Sequence, residues 1–262
     1  MLAILVDVSQ CTGCEKCTVA CIDSHGLDQK KADRDRVDGK DGLSANRLMS
    51  INTVAEGHFA RYACMHCVDP SCVSACLVGG LTKTDKGAVV YDSSKCIGCR
   101  YCMLACPFHV PRYEWENTAP LVKKCDMCID RLSEGRQPAC VEACPNHVLT
   151  FGERDKLLKE AHRRLGADSQ RYVQHVWGEM EFGGTGVMYI SDVDLNKLGW
   201  DEIVTEGIPD ITTPLIEKTP FIGGGVALSL LAVNWVIGRR MKLAKEGDKH
   251  DQSAGNDTEG AH

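Results

Sequence analysis

Apolar residues run unbroken from Leu2 to Val6, and this short run predicts a buried strand that delivers Val8 straight into the first cysteine-bearing stretch. It is too short for a signal-peptide core and lacks a basic leader, a cleavage site and a twin-arginine pair. Ser50 to Val54 predicts a second strand. Further on, Leu81-Thr82-Lys83-Thr84, Asp85-Lys86-Gly87 and Ala88-Val89-Val90-Tyr91 read as strand, tight turn, strand. Val148 to Phe151 predicts another strand. Leu157, Leu158, Ala161 and Leu165 then recur at helical spacing, predicting a helix over 154–165 with Gly166 placed to stop it. Between 166 and 216 only Gly186 to Ile190 is patterned, as a strand, and no chemistry is assigned there. The charged span from Gln29 to Gly42 predicts a solvated loop.

The longest apolar stretch comes last. Pro220 to Gly238 is 19 residues without a charge. As a helix rising about 1.5 Å per residue, that is just enough to cross a hydrocarbon core of about 30 Å. A buried helix of a soluble protein is the competing reading, but the three consecutive glycines 223–225 suit it poorly. In lipid, Gly223 with Ala227 and Gly225 with Ser229 make the small-residue pairs of close helix packing. The expectation is one membrane-spanning helix, 217–241, docked on another membrane subunit, with Asn234 bonding a neighbouring helix. A polar, disordered tail, 242–262, follows. Arg239, Arg240, Lys242 and Lys245 come after the span and Lys218 alone just before it, which places the tail in the cytoplasm and the rest of the chain on the periplasmic side. Without an export signal, such a chain would cross as the passenger of a partner carrying a twin-arginine signal; the competing reading leaves the rest of the chain in the cytoplasm.

Composition narrows the possibilities. With 44 % hydrophobic but only 6 % aromatic residues, the protein part of any core is thin, so something else must fill the interior. A net charge of −6 without a basic stripe argues against a nucleic-acid partner. No phosphate loop, nucleotide fingerprint or carboxylate pair stands out.

The chemistry lies in 16 cysteines, all of which fall into four groups. Cys96, Cys99, Cys102 and Cys106, followed by Pro107, match the bacterial ferredoxin run, in which three thiolates hold one cluster and the fourth reaches a neighbouring one. Cys11, Cys14, Cys17 and Cys21 repeat the spacing with Ile22 in place of the proline. Cys64, Cys67, Cys72 and Cys76 lengthen the second gap, as do Cys125, Cys128, Cys140 and Cys144, the last followed by Pro145. Zinc ribbons use two separated pairs and have no use for a closely spaced third cysteine, and disulfide frameworks belong to small secreted domains. Sixteen thiolates divide into four cubanes of four ligands. Removing the iron should then unfold the chain.

The hairpin at 81–91 lies between the second and third groups, the internal repeat of a two-cluster ferredoxin. The predicted fold class is α+β: two interleaved bacterial-type 2[4Fe-4S] ferredoxin units plus one C-terminal transmembrane helix. The first unit comprises 1–57 and 107–165, the second is inserted at 58–106, and 166–216 is a connecting region.

The runs Cys-Met-His-Cys-Val-Asp-Pro-Ser-Cys (64–72), Cys-Ile-Gly-Cys-Arg-Tyr-Cys (96–102) and Pro-Ala-Cys-Val-Glu-Ala-Cys-Pro (138–145) carry a resemblance. With the trailing apolar helix, the chain resembles the beta subunits of membrane-bound formate dehydrogenases and uptake hydrogenases. More broadly it is similar to the four-cluster subunits of molybdopterin respiratory enzymes. In that family the fourth cysteine of each group crosses to the paired group's cluster. The resemblance therefore implies that Cys11, Cys14, Cys17 and Cys144 hold cluster one, and that Cys125, Cys128, Cys140 and Cys21 hold cluster two. Cluster three would take Cys64, Cys67, Cys72 and Cys106, and cluster four Cys96, Cys99, Cys102 and Cys76. Nitrate reductase relatives have tryptophan in place of one cysteine of the third group and hold a three-iron cluster there; Cys99 implies four [4Fe–4S] clusters here.

The resemblance implies a non-catalytic one-electron relay. Electrons would pass from a molybdopterin, tungstopterin or nickel–iron catalytic subunit, in cluster order, to a cytochrome b or quinone-binding membrane subunit. Two other readings are a relay run from quinol to a terminal reductase and a stand-alone membrane-tethered ferredoxin. The span and its basic flank favour the first, since the resembled reductase subunits often lack a span. His66, His109 and His147 lie next to cysteine groups and read as ordinary packing rather than ligands. Lys124 and Arg131 lie where a charge would raise a cluster's potential, or on the surface. Tyr113 and Trp115 are expected in the core.

Overall fold

The structure is a computed structural model that describes residues 1–38, 42–195 and 205–256. A strand β1 (Leu2–Asp7) leads through a 3-10 turn at Val8–Gln10 into helix α1 (Lys16–Ser24), which is followed by α2 (Gln29–Asp38). β2 (Met49–Ala55) and β3 (His58–Ala63) form an antiparallel hairpin. After the short α3 (Ser71–Ser74) come β4 (Leu81–Lys83) and β5 (Val89–Tyr91), a second hairpin that matches the predicted one. α4 (Tyr101–Leu104) precedes a third, formed by β6 (Arg112–Tyr113) and β7 (Val122–Lys123). α5 (Ile129–Ser133), α6 (Ala139–Glu142), β8 (Leu149–Glu153), α7 (Arg154–Ala167), β9 (Val187–Ile190) and α8 (Ile208–Asn256) complete the chain.

β1 is the middle of a three-stranded sheet, antiparallel to β8 and parallel to β9. A strand covered on both faces reads as a continuous apolar run, and β1 does. Ala3 and Leu5 point to α7, where Leu157, Ala161 and Leu165 form one stripe. Ile4 and Val6 point the other way, into a core shared with Cys17, Cys21, Cys64, Cys125 and Cys140. One face of the sheet thus packs on a helix and the other on the cysteine-bearing interior.

Several expectations need correction. The span from Gln29 is a helix as far as Asp38 rather than a loop: it contains no Gly or Pro, Asp28 accepts from the Lys31 amide at 3.1 Å, and Gln29 bonds Asp33 one turn on at 2.8 Å. Residues 39–41 of that expected loop lie outside the described residues. Strand β3 carried no predicted pattern. Gly166 sits inside α7, which ends at Ala167, since one glycine costs a helix only about 1 kcal/mol.

The span 166–216 is more than a connection: β9 completes the central sheet, and Trp177, Phe182 and Tyr189 enter the main core. Its anchor is the wholly buried Asp7, which accepts from Tyr172 Oη at 2.9 Å and Arg164 Nη1 at 3.3 Å. Residues 196–204 of this span lie outside the described ones. Tyr113 is buried as expected, whereas Trp115 is exposed, with the Arg100 guanidinium over its ring.

Met1–Asp210 forms one compact unit and the rest of the chain a second. In the second, α8 continues unbroken past 241 to Asn256, so the tail expected to be disordered is helical as far as that residue; 257–262 lie outside the described residues. Ile208–Leu243 is long and apolar enough to cross a membrane. Its Phe221, Leu228, Leu231 and Trp235 are all exposed, and Ser229 bonds the Gly225 carbonyl at 2.9 Å.

Candidate metal centres

All sixteen thiols are free, and within each expected set of four the fold brings thiols of two sequence groups within electrostatic reach. Cys11 lies within electrostatic reach of Cys144 and Cys14, and Cys17 within reach of Cys11 and Cys144. Cys21 neighbours Cys125, Cys140 and Cys128. Cys67 neighbours Cys64, Cys106 and Cys72, and Cys102 neighbours Cys76, Cys96 and Cys99. In each expected set three thiols come from one sequence group and the fourth from another. The packing of α1 on α6 brings the first and fourth groups together, and α3 against α4 does the same for the second and third.

The four sets also lie within electrostatic reach of one another in series. Cys140 of the second set lies by Cys17 of the first, Cys64 of the third by Cys125 of the second, and Cys102 of the fourth by Cys72 of the third. Exposure follows the same order. Cys14 and Cys99, in the first and last sets, are exposed, whereas all four thiols of the second set are buried.

A repeated backbone device builds each set. The residue before the second cysteine of every group is in the left-handed conformation: Gly13, His66, Gly98 and Met127. This turns backbone N–H groups onto sulfur, from Gly98 to Cys96 at 3.4 Å and from Met127 to Cys125 at 3.5 Å. The third residue after the last cysteine is left-handed too in three groups, at Gly79, His109 and His147. Histidine is among the residues that tolerate this region, which accounts for His109 and His147.

His66 has a further task. Its Nδ1 accepts the Val89 amide at 2.9 Å, and burial, then the charges of Lys124 and Arg61, push its pKa well down, so it stays neutral. Group one differs because Ile22, where the proline would be, lets α1 run on to Ser24 with Cys21 inside it. A glycine signal for the left-handed positions is visible in the sequence at Gly13, Gly79 and Gly98.

Three charged residues near the sulfurs have different fates. Lys124 is buried, with Nζ on the Val89 and Cys125 carbonyls and its charge acting on Cys72 and Cys106. Arg131 pairs with Glu142 near the surface. Arg61, which the strand pattern does not single out, is buried with Nη2 3.8 Å from Cys125 Sγ. No local pattern points to His25 either; it bonds Asp126 at 2.9 Å and the Cys21 carbonyl at 2.8 Å, fixing the edge of the second set.

The donor sets fit iron–sulfur clusters. Burial first, and then the charges of neighbouring thiols, push Cys17 up to about 12 and Cys102 to about 11. Thiols crowded in this way ionise together only around a strongly cationic centre, which the iron of a cluster supplies. The first set lines a cavity bordered by the apolar Ile51, Val148 and Leu149, of the kind that shields a cluster, with Arg61 beside them.

Comparison with known proteins agrees with this chemistry. Residues 55–154 match the family described as a 4Fe-4S dicluster domain. Over 95 % of its length the chain is 32 % identical to the hydrogenase-2 operon protein HybA of Escherichia coli O157:H7, covering 87 % of that protein. This protein belongs to the iron–sulfur subunits of respiratory oxidoreductases. It is 36 % identical to the iron-sulfur subunit of the nitrate-inducible formate dehydrogenase of Escherichia coli K12, over 72 % of this sequence and 67 % of that one. It is 40 % identical to one polypeptide of the anaerobic dimethyl sulfoxide reductase of the same strain, over 62 % and 78 %. As a member of this family it is a non-catalytic electron-transfer subunit that holds [4Fe–4S] clusters.

Proposed function

We propose that this iron–sulfur subunit carries single electrons along four [4Fe–4S] clusters. A molybdopterin, tungstopterin or nickel–iron catalytic subunit would stand at one end and a quinone-reactive membrane subunit at the other. Cluster one is assigned to Cys11, Cys14, Cys17 and Cys144, and cluster two to Cys21, Cys125, Cys128 and Cys140. Cluster three is assigned to Cys64, Cys67, Cys72 and Cys106, and cluster four to Cys76, Cys96, Cys99 and Cys102. The observation that carries this reading is the serial proximity of the four thiol sets, each within electrostatic reach of the next, with exposed cysteines only at the two ends. The names of the hydrogenase and formate dehydrogenase relatives support the choice of catalytic partner.

Bound [4Fe–4S] clusters supply reversible one-electron chemistry. The protein's own residues hold them in a row and keep water from the middle two, and their backbone N–H groups and buried cations favour the more negative, reduced form. On this reading 107–165 joins 1–57 as a first ferredoxin unit, with 58–106 inserted as a second. α8 anchors the assembly in the membrane, and Arg239, Arg240 and Lys242 put its C-terminal end in the cytoplasm and the clusters on the periplasmic side.

Cys99→Ser is the test. In the intact complex it should abolish electron exchange with quinone while donor oxidation by artificial dyes continues, because only the last cluster is damaged. Loss of both activities in a complex that stays assembled would overturn the order.

A further inference from the structure

Among the described residues Arg61 is one of two arginines with about 2 % of their surface exposed; the other is Arg47. They differ in what balances their charge. Arg47 has the Glu15 carboxylate at 3.0 Å. No carboxylate pairs with Arg61 among the described residues. Its Nε donates to Met49 Sδ at 3.1 Å, its Nη2 faces Cys125 Sγ at 3.8 Å, and its Nη1 is buried with no hydrogen-bond partner. A guanidinium cannot shed its proton, so a buried one without a counter-charge is costly to keep.

The position of Arg61 shows where the missing negative charge would lie. It lines the cavity bounded by Cys11, Cys14, Cys17 and Cys144, and it touches Cys125 of the adjoining set. Glu15 lines the same cavity, but its carboxylate bonds Arg47; Met49 lies against the Arg61 guanidinium, and Tyr189 bonds the Arg61 carbonyl at 2.9 Å. The large negative charges that such a site can receive are those of the thiolate-bound groups on its two sides.

We infer that Arg61 is a fixed cation shared by clusters one and two, positioned at their junction to hold both at a higher reduction potential than the neutral wall alone would. The inference rests on the assignment of clusters proposed above. Lys124 occupies the corresponding place between the second and third sets, whereas the junction of the third and fourth is lined by Leu81, Val89, Tyr113 and Val122 and has no buried cation among the described residues. The charge is therefore concentrated at the end of the row that Cys14 opens.

The experiment is a redox titration, followed by electron paramagnetic resonance, of the full chain in its complex, comparing Arg61→Met, Arg61→Gln and Arg61→Lys with the unaltered protein. Iron and acid-labile sulfide are measured on every sample. In the two neutral variants the reduction equilibrium of clusters one and two should shift at least tenfold towards the oxidised form, about 59 mV for one electron. Cluster four should not move, and Arg61→Lys should retain most of the unaltered value. If the neutral variants fail to load iron while Arg61→Lys loads fully, a charge is required at this position and the inference stands. Unchanged potentials in iron-replete neutral variants overturn it. So does a lysine variant as impaired as the methionine one, since shape and not charge would then be at work. An unaltered protein without iron and sulfide would sink the cluster assignment itself, a result distinct from either of these.

Discussion

Tyr62 donates a hydrogen bond from its hydroxyl to the Phe108 carbonyl at 2.6 Å, tying the residue two before Cys64 to the residue two after Cys106. The two cysteines come from different sequence groups and lie in the same thiol set. The bond is buried, so Tyr62→Phe removes an interior hydrogen bond. We expect a loss of about 1–3 kcal/mol, read as earlier thermal bleaching of the visible absorbance. Bleaching indistinguishable from the unaltered protein would show that the two approaches are held together by the sulfurs alone.

Gly98 has φ +72°, and a Cβ there would lie 2.9 Å from Tyr113 Oη. Gly98→Ala carries the cost of a left-handed alanine, about 1–2 kcal/mol, and pushes on a buried ring besides. It should weaken the set of Cys96, Cys99, Cys102 and Cys76 selectively, lowering iron content without affecting the first set. Adding Tyr113→Phe removes the clashing oxygen and should restore part of the loss. A double variant no better than the single would place the whole cost in the backbone.

His58 joins the β2–β3 hairpin to the segment after β9, with Nδ1 on the Glu56 carbonyl at 2.8 Å and Nε2 on Asp192 at 3.2 Å. The Glu56 carbonyl, and then Asp192, raise its pKa above the usual 6.5. A raised folded value means the protonated contact stabilises fully below about pH 6.5 and fades as pH rises through the higher folded value. Chemical denaturation from pH 6 to 9 should therefore show a small fall in stability that His58→Gln removes. The contact is only partly buried, so salt should weaken the effect. An unchanged slope in the variant would assign the fall to another group.

The division of the chain at Asp210 supports a prediction about the anchor. A polypeptide ending there should stay in the soluble fraction and keep the full iron content, because all the cysteines and both faces of the central sheet precede it. Retention on membranes after this truncation would show that another surface makes the contact.

What was legible in the sequence is what depends on local spacing. The cysteine groups, β1, the β4–β5 hairpin, α7 and the apolar helix follow from periods of two and 3.6 residues, from ligand spacing and from hydropathy, all properties of short windows. α2 is hidden by its charge, which reads as solvation, although the absence of Gly and Pro allows a helix. The neighbourhood of β9 is hidden because its aromatic residues are irregularly spaced, and only packing shows that Trp177 and Tyr189 belong to the core.

By itself the sequence determined that sixteen thiols come in four groups able to bind iron–sulfur clusters, since a ligand needs only the right residue at the right interval. The tertiary structure decided which groups come within electrostatic reach of one another, which sulfurs reach the surface, and that Arg61 lies buried against Cys125. Those relations join residues up to more than a hundred positions apart, such as Cys11 and Cys144. Burial in particular is a property of the whole fold: an arginine in an alternating strand is solvated or interior according to what packs over it, and no local pattern records that.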